Sequence, residues 1–65
     1  MKILVNGAWH EIGAAQLAAA LGELGYGERT VSTAVNGEFV AAGARERTAL
    51  AEGDRVEVLA PMQGG

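Results

Sequence analysis

A chain of 65 residues makes one small domain, a size that buries only about 60% of its unfolded surface and leaves little room for a cleft that encloses a substrate. The net charge of −3, with the five basic residues scattered at Lys2, Arg29, Arg45, Arg47 and Arg55, gives no continuous footprint for a phosphate backbone and excludes nucleic acid as an expected partner. With no cysteine and His10 as the lone imidazole, there is no basis for disulfides or a transition-metal set, so no bound metal or cofactor is expected.

Lys2 to Val5 alternates as a strand, with Ile3 and Val5 on one face and Lys2 and Leu4 on the other. Asn6-Gly7 follows, the strongest short hairpin signal, because both central residues of a type I′ turn need positive φ. The return strand is expected over Ala8 to Ile12, with Trp9 and Glu11 on one face and His10 and Ile12 on the other. His10 has no Asp, Cys or second His near it in sequence and reads as an ordinary strand residue, not a catalytic base.

Gly13 breaks that pattern, and Ala14 to Leu24 takes the helical period, with Leu17, Leu21 and Leu24 on one stripe. Good helix formers fill the remaining positions apart from Gly22, and Gly25 supplies the stop. A helix this short is marginal alone, so the Leu stripe has to be covered by strands and is core, not a cofactor or membrane face. Val31 to Val35 gives a third strand, Asn36-Gly37 repeats the hairpin signal, and Glu38 to Val40 is a short fourth strand. Ala41 to Ala51 reads as a loop with one helical turn, its Arg45, Glu46 and Arg47 forming a solvated surface. Arg55 to Leu59 is the last strand, ended by Pro61.

One sheet on one helix places Ile3, Val5, Ile12, Leu17, Leu21, Leu24, Val35, Val56 and Val58 inside. The other sheet face stays open, and Leu4 and Leu59 project there, together if the first and last strands are neighbours. That makes them an expected partner-docking patch. The domain spans 1–60 and is followed by a tail, 61–65, of Pro61, Met62, Gln63, Gly64 and Gly65. Glycines at the last two positions let such a tail thread a narrow channel and offer a carboxylate to another protein's chemistry, although a diglycine end can also be incidental. No run approaches the length of a membrane span and Met1 to Gly7 has no apolar leader core, so a cytoplasmic protein with no membrane partner is expected.

In order and spacing, several stretches together resemble one family: Ile3-Leu4-Val5-Asn6-Gly7, the Leu-striped helix, Ala34 to Val40, Leu50 to Val58, and the final Gly64-Gly65. The chain resembles the ThiS-type sulfur carrier proteins of thiamine biosynthesis. The resemblance implies an α+β, ubiquitin-like β-grasp fold: one mixed four- to five-stranded sheet packed on a single helix, with a flexible C-terminal tail. It departs from the family after the fourth strand, where Ala41 and Ala42 stand in place of a frequent Pro-Arg pair.

The resemblance further implies a protein cosubstrate, not an enzyme. Gly65 would be adenylated by a ThiF-like enzyme that uses ATP, then converted to a thiocarboxylate with sulfur from a donor such as a cysteine desulfurase. A ThiG-like thiazole synthase would consume it. Gly64 would provide clearance in the partner's channel, and Met62 and Gln63 would join Leu4 and Leu59 in partner contact. Rival readings are another β-grasp carrier of the molybdopterin synthase small-subunit type, a ubiquitin-like modifier, or a plain interaction domain.

Overall fold

The fold is built from two Asn-Gly hairpins and a fifth strand laid between them. In the computed structural model, which describes residues 1–27 and 29–60, Asn6 and Gly7 have φ of 49° and 85°, and Asn36 and Gly37 have 51° and 85°. These are the paired positive φ values of a type I′ turn. Each turn folds a strand back on its neighbour: β1 (Lys2–Val5) against β2 (Ala8–Glu11), and β3 (Ser32–Val35) against β4 (Glu38–Val40). Strand β5 (Arg55–Leu59) fills the gap, parallel to β1 and antiparallel to β3, in the order β2-β1-β5-β3-β4.

Parallel strands need a crossover, and helix α1 (Leu17–Glu23) lies on that path. Its Leu17, Ala20 and Leu21 are buried with Ile3, Val5, Ile12, Val31, Leu50, Val56 and Val58. Ala20 is fully buried and has only a methyl group, which lets the helix axis approach the sheet. The inward residues expected from the sequence are all in this core or packed against it, with Leu24 and Val35 only partly buried. Ala20, Val31, Thr33 and Leu50 complete it.

The helix starts later than its alanine-rich sequence suggests. Gln16 is the N-cap, its Oε1 accepting from Ala19 N–H at 3.1 Å. Residues 14–16 lie outside the helix, with Gln16 extended, because Leu17 N–H donates to Thr48 O at 2.9 Å, Leu50 N–H donates to Ala15 O at 3.0 Å, and Gln16 bridges Ala49. This long-range pairing overrides local propensity and drops Leu50 into the core. At the other end Gly25, at φ 93°, closes the helix. Tyr26 N–H donates to Leu21 O and Gly25 N–H to Gly22 O, the paired bonds of a Schellman cap.

Within the segment expected as a loop with one helical turn, Ala42–Arg47 forms a 3₁₀ helix packed beside α1. Arg45 is not merely solvated there. It is half-buried, and it donates from Nε to Thr33 Oγ1 and from Nη2 to Val31 O. Among the described residues, one helix covers one face of a five-stranded mixed sheet, which is the β-grasp arrangement. None of these helices is long and apolar enough to cross a membrane.

Candidate functional site

Strand β5 is the element nearest in sequence to the tail, and it occupies the centre of the sheet. Val56 and Val58 are buried beneath it, while Arg55, Glu57 and Leu59 face outward. Both Asn-Gly turns hold it. On the β1 side, Asn6 Oδ1 accepts from Val58 N–H at 2.8 Å and Asn6 Nδ2 donates to Val58 O at 3.0 Å. On the β3 side, Asn36 Oδ1 accepts from Arg55 N–H at 2.9 Å and Asn36 N–H donates to Arg55 O at 2.8 Å. Asn36 Nδ2 also donates to Asp54 Oδ1 at 3.1 Å.

The open face of the sheet is read from the register. Trp9 lies opposite Leu4, and Leu4 opposite Arg55. Phe39 lies opposite Ala34, Ala34 opposite Glu57, and Leu59 opposite Ser32. Paired residues share a face, so two apolar groups flank a central Arg55 and Glu57: Trp9 with Leu4, and Phe39 with Leu59. Strands β1 and β5 are neighbours, as the sequence led one to expect, but Leu4 and Leu59 are not brought together. Leu4 meets Arg55, four residues before Leu59, a separation of about 13 Å along the strand. Leu4 is half-buried, whereas Leu59 is 67% exposed.

Two residues that the sequence reading left out belong to this face. Phe39 is 73% exposed and Trp9 58% exposed. A two-residue turn fixes the pairing on either side of it, so Asn6-Gly7 already dictates Trp9 opposite Leu4, and Asn36-Gly37 dictates Phe39 opposite Ala34. Counting outward from each turn was the signal that could have found them.

Two shallow hollows lie on the face. One, of about 150 Å³, is lined by Ser32, Ala34, Phe39, Glu57 and Leu59 among others. The second, of about 220 Å³, lies around Leu4, Asn6, Arg55 and Glu57. Both fall below the roughly 300 Å³ at which small-molecule pockets begin, so the face suits a macromolecular surface better than a bound metabolite. Met62, Gln63, Gly64 and Gly65 lie outside the described residues.

No curated protein matches the chain. Among solved structures, the crystal structure of thiamine biosynthesis protein ThiS from Geobacter metallireducens matches at a TM-score of 0.84 and 32% identity, over 100% of both chains. The solution NMR structure of a thiamine biosynthesis protein from the same organism matches at 0.78 and 30%, over 100% of this chain and 88% of that one. The ThiS family profile matches residues 3–65, which takes in both hairpins, the helix, β5 and the diglycine. With its sequence matched over that span and its fold matched along its whole length, the chain belongs to the ThiS family.

Proposed function

We propose that the chain is a sulfur carrier of thiamine biosynthesis whose Gly65 carboxylate is activated and converted to a thiocarboxylate. The observation that carries this reading is the family match, which extends through Gly64 and Gly65. The Geobacter metallireducens relatives are thiamine biosynthesis proteins of the same fold.

The chemistry follows from the weakness of a carboxylate as an electrophile. Its oxygen has to become a leaving group before sulfur can enter. Attack of the Gly65 carboxylate on the α-phosphorus of ATP forms an acyl adenylate and releases pyrophosphate. A sulfur nucleophile then adds to the acyl carbon and AMP departs. A ThiF-like adenylating enzyme binds the ATP. A donor such as a cysteine desulfurase supplies the sulfur as a persulfide, whose attack gives an acyl disulfide, and a thiol reductant then cleaves the S–S bond to leave the thiocarboxylate on Gly65. A ThiG-like thiazole synthase consumes it. The carrier is a cytoplasmic cosubstrate, not a catalyst. Glycines at 64 and 65 pass a channel that any side chain would obstruct. The open face, with Leu4 at one end and Leu59 at the other, docks the partner together with Met62 and Gln63.

Incubation with ATP, a competent adenylating enzyme, a sulfur donor and a thiol reductant tests the reading by intact mass. The expected gain equals one oxygen exchanged for sulfur, and it disappears when Gly65 is deleted while the circular dichroism is unchanged. No gain in the parent chain would refute the carrier role. Turnover of the product by a thiazole synthase, and not by a molybdopterin synthase large subunit, assigns the pathway.

A further inference from the structure

Strand β1 stops pairing with β5 before β5 ends. The ladder pairs Leu4 with Arg55 and Val5 with Val56, and its backbone bonds run from Leu4 N–H to Asp54 O at 2.9 Å and from Asn6 N–H to Val56 O at 3.0 Å. At Asn6 and Gly7 the chain turns away at positive φ. Alternate residues of a strand present their N–H and C=O to the same side, so Val58 is the next residue of β5 whose backbone faces β1. The Asn6 side chain meets it, accepting from Val58 N–H and donating to Val58 O. One primary amide thus stands in for the strand residue that β1 no longer supplies, and it carries the sheet one step closer to the tail.

Asn36 grips the same strand from the other side and at the other end, at Arg55. The two asparagines are alike in turn type and chemistry, and they differ in which end of β5 they hold. Val58 is one residue before the end of β5. Its side chain is 5% exposed, so Asn6 ties the last part of the strand to a buried anchor.

We propose that Asn6 is a positioning residue for loading of the carrier: by holding Val58, it fixes the end of β5, the part of the sheet that precedes Gly65 in sequence. The inference rests on the reading of Gly65 as the activated carboxylate. When the amide is lost, Val58 and Leu59 are held from the β3 side alone, opposite Thr33 and Ser32, and order worth about one backbone residue at the end of the strand has to be restored whenever Gly65 is delivered. Asn6 also borders the hollow around Leu4 and Arg55 on the open face, so a docking contribution would appear in KM, whereas the positioning cost falls after docking, on the rate of adenylation within the complex.

The test compares Asn6→Gly with Asn36→Gly. Glycine keeps the positive φ and removes only the amide in both. Steady-state adenylation by a ThiF-like enzyme with ATP is measured beside amide hydrogen exchange at Val58. Asn6→Gly is expected to speed exchange at Val58 and to lower kcat/KM about tenfold, the factor that corresponds to re-ordering one backbone residue, with kcat carrying the loss. Asn36→Gly is expected to lose thermal stability and keep the parental kcat/KM. Asn6→Asp retains an acceptor for Val58 N–H and is expected to fall between parent and Asn6→Gly, and it carries the same comparison if Asn6→Gly does not fold. Parental kcat/KM in these Asn6 variants, or an equal loss in Asn36→Gly, overturns the positioning role. Failure of the parent chain to be adenylated refutes the Gly65 reading and the proposal with it, while unchanged exchange at Val58 refutes the proposal alone.

Discussion

Arg45 Nε donates to Thr33 Oγ1 at 3.0 Å, which joins the 3₁₀ segment to a polar side chain buried in the sheet core. The Thr33 hydroxyl donates in turn to Val40 O at 2.8 Å, and Arg45 Nη2 donates to Val31 O at 2.6 Å. A single guanidinium therefore closes the connection after β4 over the start of β3. Arg45→Ala would leave the Val31 carbonyl and one side of Thr33 without these partners. Hydrogen bonds to charged groups contribute about 1.5–3 kcal/mol each, and part of that is recovered by water at this half-buried site. We expect a loss of about 2 kcal/mol in urea denaturation, with the m-value unchanged. Arg45→Lys should restore less than half, since an ammonium lacks the fork that reaches both acceptors. A loss below about 0.5 kcal/mol, the size of an ordinary surface substitution, would contradict the bridging role.

Two glycines should respond to alanine with opposite signs. A Cβ at Gly22 or at Gly37 would meet no atom within 4 Å, so backbone conformation decides the outcome. Gly22 lies inside α1, where alanine is better by about 0.5–1 kcal/mol. Gly37 has φ of 85°, where a Cβ costs about 1–2 kcal/mol. In a domain this small, 1 kcal/mol moves Tm by about 4–8 °C. Thermal melts should therefore show Gly22→Ala rising and Gly37→Ala falling, and a shared direction would show that the turn geometry is wrong.

The fully buried Ala20 sets how closely α1 approaches the sheet. Ala20→Leu forces three further carbons into that contact, and overpacking of this kind costs about 1–3 kcal/mol. Ala19→Leu, at an exposed position on the same helix, is the matched control and should change stability by less than about 0.5 kcal/mol. Equal effects at the two positions would mean that Ala20 is not the contact that fixes the helix height.

Much of the sheet was legible because the Asn-Gly turns announce themselves and bring their register with them. Lys2–Val5, Glu38–Val40 and Arg55–Leu59 lie where the alternation placed them. The helix start was not legible. Ala14, Ala15 and Gln16 look helical locally, and what keeps them out of the helix is pairing of Ala15, Gln16 and Leu17 with Thr48, Ala49 and Leu50, more than 30 residues away in sequence. The burial of Leu50 and the inward turn of Arg45 depend on the same distant packing and leave no periodic trace. Leu4 and Leu59 were placed on the correct face, but their separation follows from the offset of β5, which pairs Leu4 with Arg55. Gly64 and Gly65 were nominated from the tail's chemistry, and their assigned roles came with the family resemblance, since residues without side chains carry no hydrophobic pattern.

Phe39 and Leu59 line one hollow on the open face, and both are more than half exposed. Groups so exposed contribute little to the folded domain, so truncating them separates docking from stability in a way that Leu4, half-buried, does not allow. If this end of the face seats the adenylating enzyme, Phe39→Ala or Leu59→Ala should each raise KM for the carrier about tenfold, in the range of an interface anchor, with the circular dichroism unchanged. Because the two side chains share one hollow, their effects should be non-additive in the double variant. Trp9→Ala lies at the opposite end, beside Leu4, and its effect should add independently to either one. Unchanged KM for all three single variants would remove the open face as the docking surface. A loss confined to Trp9→Ala would move the contact to the β1–β2 end, where Leu4 and not Leu59 would be the aliphatic partner.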